Sequence, residues 1–335
     1  MEAVTLVNWA FDGVLAVSLL LLAWQALASF DLFKACALFV IFGVFMAIAW
    51  VRLNAPDVGL AEATIGAGIT GTLLMSALSR LSGPGVSVAS GTGGGSSSDV
   101  TQRGNGNRPP GEPETLLGKY VPLLLVSALA IGLGYVVLSL PPQASGLHPE
   151  VAGRMESSGV EHPVTGVLLN FRGYDTLLEL VVLLSALLGA WSLGGLRTAN
   201  FERAPDSVLD ILTRSLTPVS IVVAGYLLWV GTGAPGGAFQ AGAVLGAASI
   251  LLLLSGWQLP RHLAKAPFRI ALVMGVVVFL AVAVLVMAGG RSLLEYPPAN
   301  AGMLILVIEI FASVSIGATL VGFFLGADPA DEQKQ

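Results

Sequence analysis

The residues of this sequence best suited to chemistry are acids placed in long apolar stretches. One stretch, VTGVLLNFRGYDTLLEL, contains Arg172, Asp175 and Glu179. On a helix, spacings of three and four residues place side chains on neighbouring turns of one face. Charge in hydrocarbon is costly, so these groups must be paired, hydrated or buried among helices. An internal ion pair and a role in ion transport both fit the spacing. Because one arginine cannot neutralise two carboxylates, we expect the deeper Glu179 to be the acid left for an ion path.

A second acidic stretch is NAPDVGLAEATIGAGITG. Pro56 is suited to the first turn of a helix, and Asp57 would then lie at the positive N-terminus as a helix anchor. Glu62 lies about one turn deeper with no basic residue near it in sequence, which indicates an ion or proton role. Close helix packing or local unwinding is expected at the glycines that follow. These are Gly66, Gly68 and Gly71.

A third stretch, GTGAPGGAFQAG, is rich in glycine. It lacks a preceding strand and a Gly-Lys-Ser/Thr ending, so it is not a nucleotide-binding loop. We expect a tight turn with unwound backbone between two helices, built on Gly236, Gly237 and Phe239. Gln240 is a lone polar group at the start of the following span.

Five further charges fall in apolar runs. Asp12 and Lys34 are expected either to pair across antiparallel helices or to extend towards the membrane surface. Glu309 lies about a third of the way into the last helix and is expected to face either the helix bundle or a partner. Asp210 and Arg214 predict an interfacial pair of low energetic weight.

Apolar residues dominate the elements that must position these groups. Of 335 residues, 55% are hydrophobic and 11% are charged, against about 25% charged in soluble domains. Continuous apolar runs of about 20 residues predict spanning helices and exclude a barrel of alternating strands. We therefore expect an all-α polytopic membrane protein of about nine helices, the first being a retained span and not a signal peptide. The predicted spans are 4–28, 32–53, 58–81, 119–140, 174–195, 206–230, 237–256, 269–288 and 300–326.

Two polar interruptions divide these spans into blocks of three, two and four helices. Residues 82–118 are rich in Gly, Ser and Pro, as in flexible linkers, and residues 196–206 form a short polar junction. Residues 141–165 are predicted to be a long polar loop that covers the fifth helix. The predicted modules are 1–81, 119–196 and 197–335, with 82–118 as the linker.

Basic residues predict the orientation. With the N-terminus outside, the inner loops and tail carry twelve Lys and Arg and the outer loops carry four. This asymmetry favours an outer N-terminus, a cytoplasmic C-terminus and a cytoplasmic linker.

Several functional classes are excluded or disfavoured by composition. Cys36 is the only cysteine, which excludes an intrachain disulfide and a CxxC motif. The three histidines lie far apart in predicted loops, so no bound metal or cofactor is expected. No Ser/His/Asp or Cys/His set can be assembled for a covalent enzyme. The small net charge of −5 does not indicate a nucleic-acid partner.

The three blocks resemble three known modules. The first, through NAPDVGLAEATIGAGITG, resembles the MbhD-like module that also occurs near the C-terminus of the large A subunit of Mrp antiporters. The second, through PVTGVLLNFRGYDTLLEL, resembles the MbhE-like module that follows it there. The third, through GTGAPGGAFQAGAVLGAA, resembles the B-subunit family of these antiporters. Two positions depart from that family: Ala238 replaces the third glycine of PGGGFQ, and Ala241-Gly242 replaces a pair of glycines.

The resemblance implies a membrane subunit of a multisubunit Mrp-type Na+/H+ antiporter, without enzymatic activity and without a cofactor beyond the transported Na+ or H+. It implies large antiporter-like subunits as partners, in the cell membrane of a prokaryote. Two alternatives remain open: a membrane-arm subunit of a hydrogenase-like respiratory complex, and a purely structural connector. The motif positions carried over are Asp57, Glu62, Arg172, Asp175, Glu179, Gly236, Gly237, Phe239 and Gln240; Glu309 joins the ion-path candidates from its position alone.

Overall fold

The described part of the chain is helical throughout. The computed structural model describes residues 2–81, 116–140, 146–193, 207–257, 260 and 266–326. Within these residues, seven helices are long and apolar enough to cross a membrane. Two shorter apolar helices, Leu124–Ser139 and Ala238–Leu254, lie in the two remaining predicted spans. These helices confirm an all-α polytopic membrane protein, while the total of nine spans and the orientation stay predictions.

The helices are numbered in chain order. Two π-helical segments, Glu62–Ile69 and Gly166–Phe171, interrupt the α-helical order. The α-helices are α1 (Glu2–Ala28), α2 (Leu32–Arg52), α3 (Pro56–Ala61), α4 (Thr70–Leu81), α5 (Leu116–Ser139), α6 (His148–Ser158), α7 (Pro163–Thr165), α8 (Gly173–Ser192), α9 (Ser207–Val230), α10 (Ala238–Leu254), α11 (Ala266–Ala288) and α12 (Ala301–Leu325).

The chain divides into two compact units. The larger comprises Met1–Gly83 and Glu150–Gln335, and the smaller comprises Pro84–Pro149 and contains the apolar helix α5. Most of the predicted linker, residues 82–115, lies outside the described residues, as does the predicted junction at 196–206.

Helix α12 is the centre of the larger unit. Of its apolar window, 61% is buried, against 6% for α1. It packs against α8, α10 and α11. Glycines let these helices approach closely: a β-carbon at Gly275 of α11 would lie 2.8 Å from Ser315 Cβ. The Trp191 indole N–H donates to the Gly322 carbonyl at 3.2 Å and joins α8 to α12.

The N-terminal helices also pack through small residues. A β-carbon at Gly43 of α2 would lie 3.1 Å from Ala67 Cβ, and one at Gly71 would lie 2.5 Å from Val40 Cγ2. The expected local unwinding is present as the π-helical segment Glu62–Ile69. Gly68 differs from its neighbours: it is exposed, and its nearest contact is a carbonyl of its own helix.

Two expectations are wrong. Asp12 does not pair with Lys34; it forms a two-bond pair with Arg52, at 2.8 and 2.9 Å, because Arg52 at the end of α2 lies beside Asp12 across the α1–α2 hairpin. The residues predicted as a polar loop at 141–165 contain α6 and α7. Pro149 and Pro163 each lie in the first turn of one of these helices, where proline is well tolerated. The predicted pair of Asp210 and Arg214 is confirmed, at 2.9 Å.

Candidate functional site

Asp57 joins the start of α3 to the third module. Pro56 is the first residue of α3, and Asp57 lies in its first turn as predicted. Its side chain is buried, although a free carboxylate would favour water. The Gly236 N–H donates to Asp57 Oδ1 at 3.1 Å, and Gln240 Nε2 donates to the Asp57 carbonyl at 3.3 Å. Asp57 is therefore more than a helix anchor, because it ties two modules that are far apart in sequence.

The second module reaches the same place through His162. His162 Nε2 lies 3.5 Å from Asp57 Oδ2, an ion pair when the imidazole is protonated. The Thr165 hydroxyl donates to the Gly231 carbonyl at 2.5 Å. The backbone N–H groups of Glu161 and His162 both donate to the Thr232 carbonyl at 2.9 Å. All three modules thus meet around one carboxylate.

The glycine-rich stretch forms the tight turn that its sequence predicts. A β-carbon at Gly231 would lie 2.7 Å from Gly237 N, so the two ends of the turn touch. Gly237 has φ 112°, a conformation that favours glycine. The Gly237 N–H donates to the Leu227 carbonyl at 2.9 Å. Phe239 is partly buried against the main core. The turn places backbone N–H groups at the N-terminus of α10.

Glu309 faces the interior of the bundle, which decides between the two orientations open from sequence. Its side chain is 2% exposed. Its Oε1 lies 2.8 Å from the position of a β-carbon on Gly237, and the Ala238 N–H is near the carboxyl group. Within the described residues, Oε2 has no hydrogen-bond partner.

Glu62 lies on the π-helical segment that follows α3. Its carboxyl group folds back over Gly66, in the space that a side chain at Gly66 would need. The Thr70 hydroxyl donates to the Ile65 carbonyl at 2.8 Å, five residues back, in keeping with the wider helix. Glu62 is partly exposed. The absence of a side chain at Gly66 therefore leaves the space that the Glu62 carboxyl group occupies.

The charged cluster on α8 is arranged as its spacing predicts. Arg172 and Asp175 form an ion pair, with side chains 70% and 49% exposed. Leu177 and Leu180 point to the core, whereas Glu179 lies on the exposed side of α8. No ion pair joins Glu179 to a cation in the part of the chain that the structure describes.

The predicted site residues therefore fall into two groups. Five converge at the N-terminus of α10, with Glu62 five residues after Asp57 along the chain. Phe239 lies in the first turn of α10, and the remaining three, Arg172, Asp175 and Glu179, lie on the surface at α8. Sequence reasoning missed His162 and Thr165 because the residues before Pro163 predict a loop; the signal was a histidine directly before a helix-opening proline. Among the described residues, no group of three or more His, Cys, Asp and Glu could hold a metal ion. The converging five are Asp57, Gly236, Gly237, Gln240 and Glu309.

Two family models match the chain. One, described as MbhD, the D subunit of MBH, matches residues 17–83. The other, described as a domain related to the MnhB subunit of Na+/H+ antiporter, matches residues 208–326. A search of curated protein sequences returns no match.

Two solved structures share the fold. A chain of the Mrp complex from Dietzia sp. DQ12-45-1b superposes with a TM-score of 0.68 at 20% identity, covering 94% of this chain and 34% of that one. A chain of the membrane-bound sulfane sulfur reductase, an archaeal respiratory membrane complex, superposes with a TM-score of 0.52 at 20% identity, covering 63% of this chain and 98% of that one. The chain thus spans about a third of the length of the Mrp chain that it matches.

The helical fold and the two family matches define a polytopic membrane subunit of the Mrp/MBH type. Within that class, the chain carries an MbhD region followed by an MnhB-related domain, which confirms the resemblance of the first and third blocks. The MbhE-like character of 119–196 and the exact module boundaries stay predictions.

Proposed function

We propose that this chain is a subunit of an Mrp-type multisubunit Na+/H+ antiporter in a prokaryotic cell membrane. In this role it is a transporter subunit and not an enzyme, and its intramembrane carboxylates contribute to an ion path shared with large antiporter-like subunits. The MnhB-related domain and the fold shared with the Mrp complex support this assignment.

One observation carries the proposal: Glu179 is an acid on the exposed side of α8, a helix long and apolar enough to cross a membrane. Arg172 is engaged by Asp175, so the arginine about two turns away does not neutralise Glu179. A carboxyl group exposed to lipid alone is costly, and such groups almost always face a bundle interior or a water-filled cavity. The α8 surface is therefore expected to meet another subunit, and Glu179 would line the hydrated space between them.

Glu62 supports the same interpretation from the first module. It is partly exposed, lies on a widened helix and has no ion pair in the described ranges. The two acids would then supply two sides of one path that neighbouring subunits complete. Na+ and H+ are the cargo of this path, and the chain needs no other bound group for it.

The test is transport by the complete complex in everted membrane vesicles. We expect Glu179→Gln, and separately Glu62→Gln, to abolish the Na+-driven change in internal pH while the complex still assembles on native gels. The amide keeps the size of the side chain but removes the exchangeable proton. Asp210→Asn is the matched control, since Asp210 is an exposed acid already paired with Arg214 on the same helix. Transport near the wild-type rate in both glutamine variants, at normal subunit levels, contradicts the ion-path role.

Two other roles predict different results. A structural connector keeps transport in both glutamine variants but loses the complex on native gels with Gly68→Leu, because Gly68 is exposed on its helix, on a surface where a connector would meet a partner. A membrane-arm subunit of a respiratory complex is favoured by the fold shared with the sulfane sulfur reductase chain. Mass spectrometry of the co-purifying subunits separates it from the antiporter, since only a respiratory complex brings redox subunits.

A further inference from the structure

The turn that opens α10 is approached by two carboxyl groups from two different helices. The Gly236 N–H donates to Asp57 on α3 at 3.1 Å, and the Glu309 carboxyl group on α12 lies against the next residue, its Oε1 2.8 Å from the β-carbon position of Gly237 and near the Ala238 N–H. Backbone N–H groups at a helix N-terminus, with the helix dipole behind them, attract negative charge. The N-terminus of α10 therefore attracts two carboxyl groups, one from the first predicted module and one from the third.

The two acids are not equivalent. Asp57 has a potential counter-ion, because His162 Nε2 lies 3.5 Å from its second oxygen. Glu309 is 2% exposed, and its Oε2 has neither a hydrogen-bond donor nor a cation partner among the described residues. Two carboxylates that share one site repel each other, and the less well compensated one takes up a proton most readily.

We propose that Glu309 is a proton-binding site whose occupancy is coupled to Asp57 through the turn Gly236–Ala238. The bound species is H+, carried on Oε2, while Oε1 stays against the turn. This assignment goes beyond the surface acids on α8, and only its use in transport rests on the proposed function above.

The surroundings favour a proton over Na+. A hard cation needs several oxygen ligands and is repelled by N–H donors at a helix N-terminus. Here the Ala238 N–H is near the Glu309 carboxyl group, and Gln240 Oε1 lies 3.8 Å from the same β-carbon position on Gly237 that Glu309 Oε1 approaches. Burial favours the neutral form of a carboxyl group, whereas the N–H donor favours the anion. These opposed effects suit a group that gains and releases a proton.

Gly237 has a specific part in this site. Glu309 Oε1 would be 2.8 Å from a β-carbon at this position, so a side chain on Gly237 would displace the carboxyl group. Gln240 is held on the same side, because its Nε2 donates to the Asp57 carbonyl. Gly237 of the PGGAFQ stretch thus leaves space for the carboxyl group of Glu309, which lies 72 residues later in the chain. Gln240 of the same stretch lies beside this space.

Other ionisable groups lie on the elements packed around α12 and must be considered as proton donors or competitors. On α8 these include the Arg172–Asp175 pair and Glu179, and on α11 Arg269 lies in the first turn. The full set among the described residues is Asp57, Glu62, Glu161, His162, Arg172, Tyr174, Asp175, Glu179, Asp210, Arg214, Tyr226, Arg269, Arg291, Glu295 and Tyr296. Asp57 differs from the rest because its carboxylate accepts from the same turn that the Glu309 carboxyl group lies against.

Infrared difference spectroscopy of the purified complex tests the proposal without measuring transport. We expect a pH titration of the wild-type complex to show one carbonyl stretch of a protonated carboxylic acid that is lost in Glu309→Gln. The band should be retained in Glu295→Gln, which makes the same change at an exposed acid of the same module. Addition of Na+ at fixed pH should leave it in place.

A second variant keeps the test informative if Glu309→Gln fails to assemble. Asp57→Asn removes the like charge that lies at the same turn. The Glu309 carboxyl group should then release its proton, and its band should disappear, at lower pH than in the wild type. The proposal is overturned by the absence of a Glu309 band at every pH, by its removal with Na+, or by an unchanged midpoint in Asp57→Asn. Because no outcome depends on antiport, failure of the proposed function would leave this result intact, and the reverse also holds.

Discussion

Adding one methyl group at Gly242 tests the helix contact that holds Glu309 in place. Gly242 of α10 faces α12 one turn from Glu309, and its β-carbon would lie 2.8 Å from both Ile316 Cβ and the Ser313 carbonyl oxygen. Ordinary contacts begin near 3.4 Å, so α10 and α12 must separate locally by about 0.6 Å, the difference between the two distances. The carbonyl is backbone and cannot rotate away.

The expected cost follows from overpacking. Inserting a methyl group into a close-packed contact costs about 1–3 kcal/mol, and replacing glycine in a helix returns up to about 1 kcal/mol. Because the backbone carbonyl cannot move aside, the upper part of that range, about 2–3 kcal/mol, applies here. After the full return, the net loss is about 1–2 kcal/mol, which lowers the Tm by roughly 2–8 °C at about 2–4 °C per kcal/mol for domains of 150–250 residues. The assay is thermal melting of the purified complex followed by size-exclusion chromatography, with heating times held constant because membrane complexes often unfold irreversibly.

A matched variant isolates the contact from the glycine itself. Gly225 lies inside α9, and nothing lies within 4 Å of its β-carbon position. Gly225→Ala makes the same chemical change and should leave the Tm unchanged or raise it. Equal Tm values for Gly242→Ala and the wild type, or an equal loss in Gly225→Ala, would show that the α10–α12 approach does not limit stability.

Two further predictions concern the Asp12–Arg52 pair and the contact between Ser292 and Glu295. Because Asp12 and Arg52 pair through two bonds, Asp12→Arg should place two like charges together and reduce the level of inserted protein, and adding Arg52→Asp should restore it. A double variant no better than the single one speaks against the pair. In the loop after α11, the Ser292 N–H holds the pKa of Glu295 below its ordinary value, so this contact is fully stabilising above the ordinary carboxyl pKa and is lost as pH falls through the lowered one. Hydrogen exchange at Ser292 should therefore rise below about pH 4 relative to Glu295→Gln, and parallel profiles in the two proteins would contradict this.

Local patterns predicted the features that depend on neighbours in sequence. The helix start at Pro56, the pair of Arg172 with Asp175 and the turn at Gly237 all follow from short-range geometry. Lys34 was the wrong partner for Asp12 because the register of α1 against α2 decides which residues meet across the hairpin. Neither helix alone determines that register. The convergence on Asp57 was not predictable for the same reason, since Gly236 lies 179 residues away.

The two departures from the B-subunit pattern become understandable at the same turn. Ala238 is the first residue of α10 and does not have a positive φ, so the freedom of glycine is not needed there. Ala241 is buried in a cluster with Ala224 and Leu227 of α9, where a methyl group fills space. Gly242, which faces α12 at 2.8 Å, is retained. The sequence therefore changes where a side chain is tolerated and keeps glycine where backbones touch.

The same turn links the three modules through direct contacts. Asp57 comes from the first module, and both His162 of the second module and the Gly236 N–H of the third lie within 3.5 Å of its carboxylate. The N–H groups that receive Asp57 and Glu309 belong to one short stretch of backbone, so a displacement of the first acid changes the field at the second. Coupling of this kind needs a continuous set of contacts with two protonation states at one end. The turn Gly236–Ala238 would provide the contacts, and Glu309 would provide the two protonation states. A change of protonation in the third module would therefore alter the field at the acids of the other two through this turn.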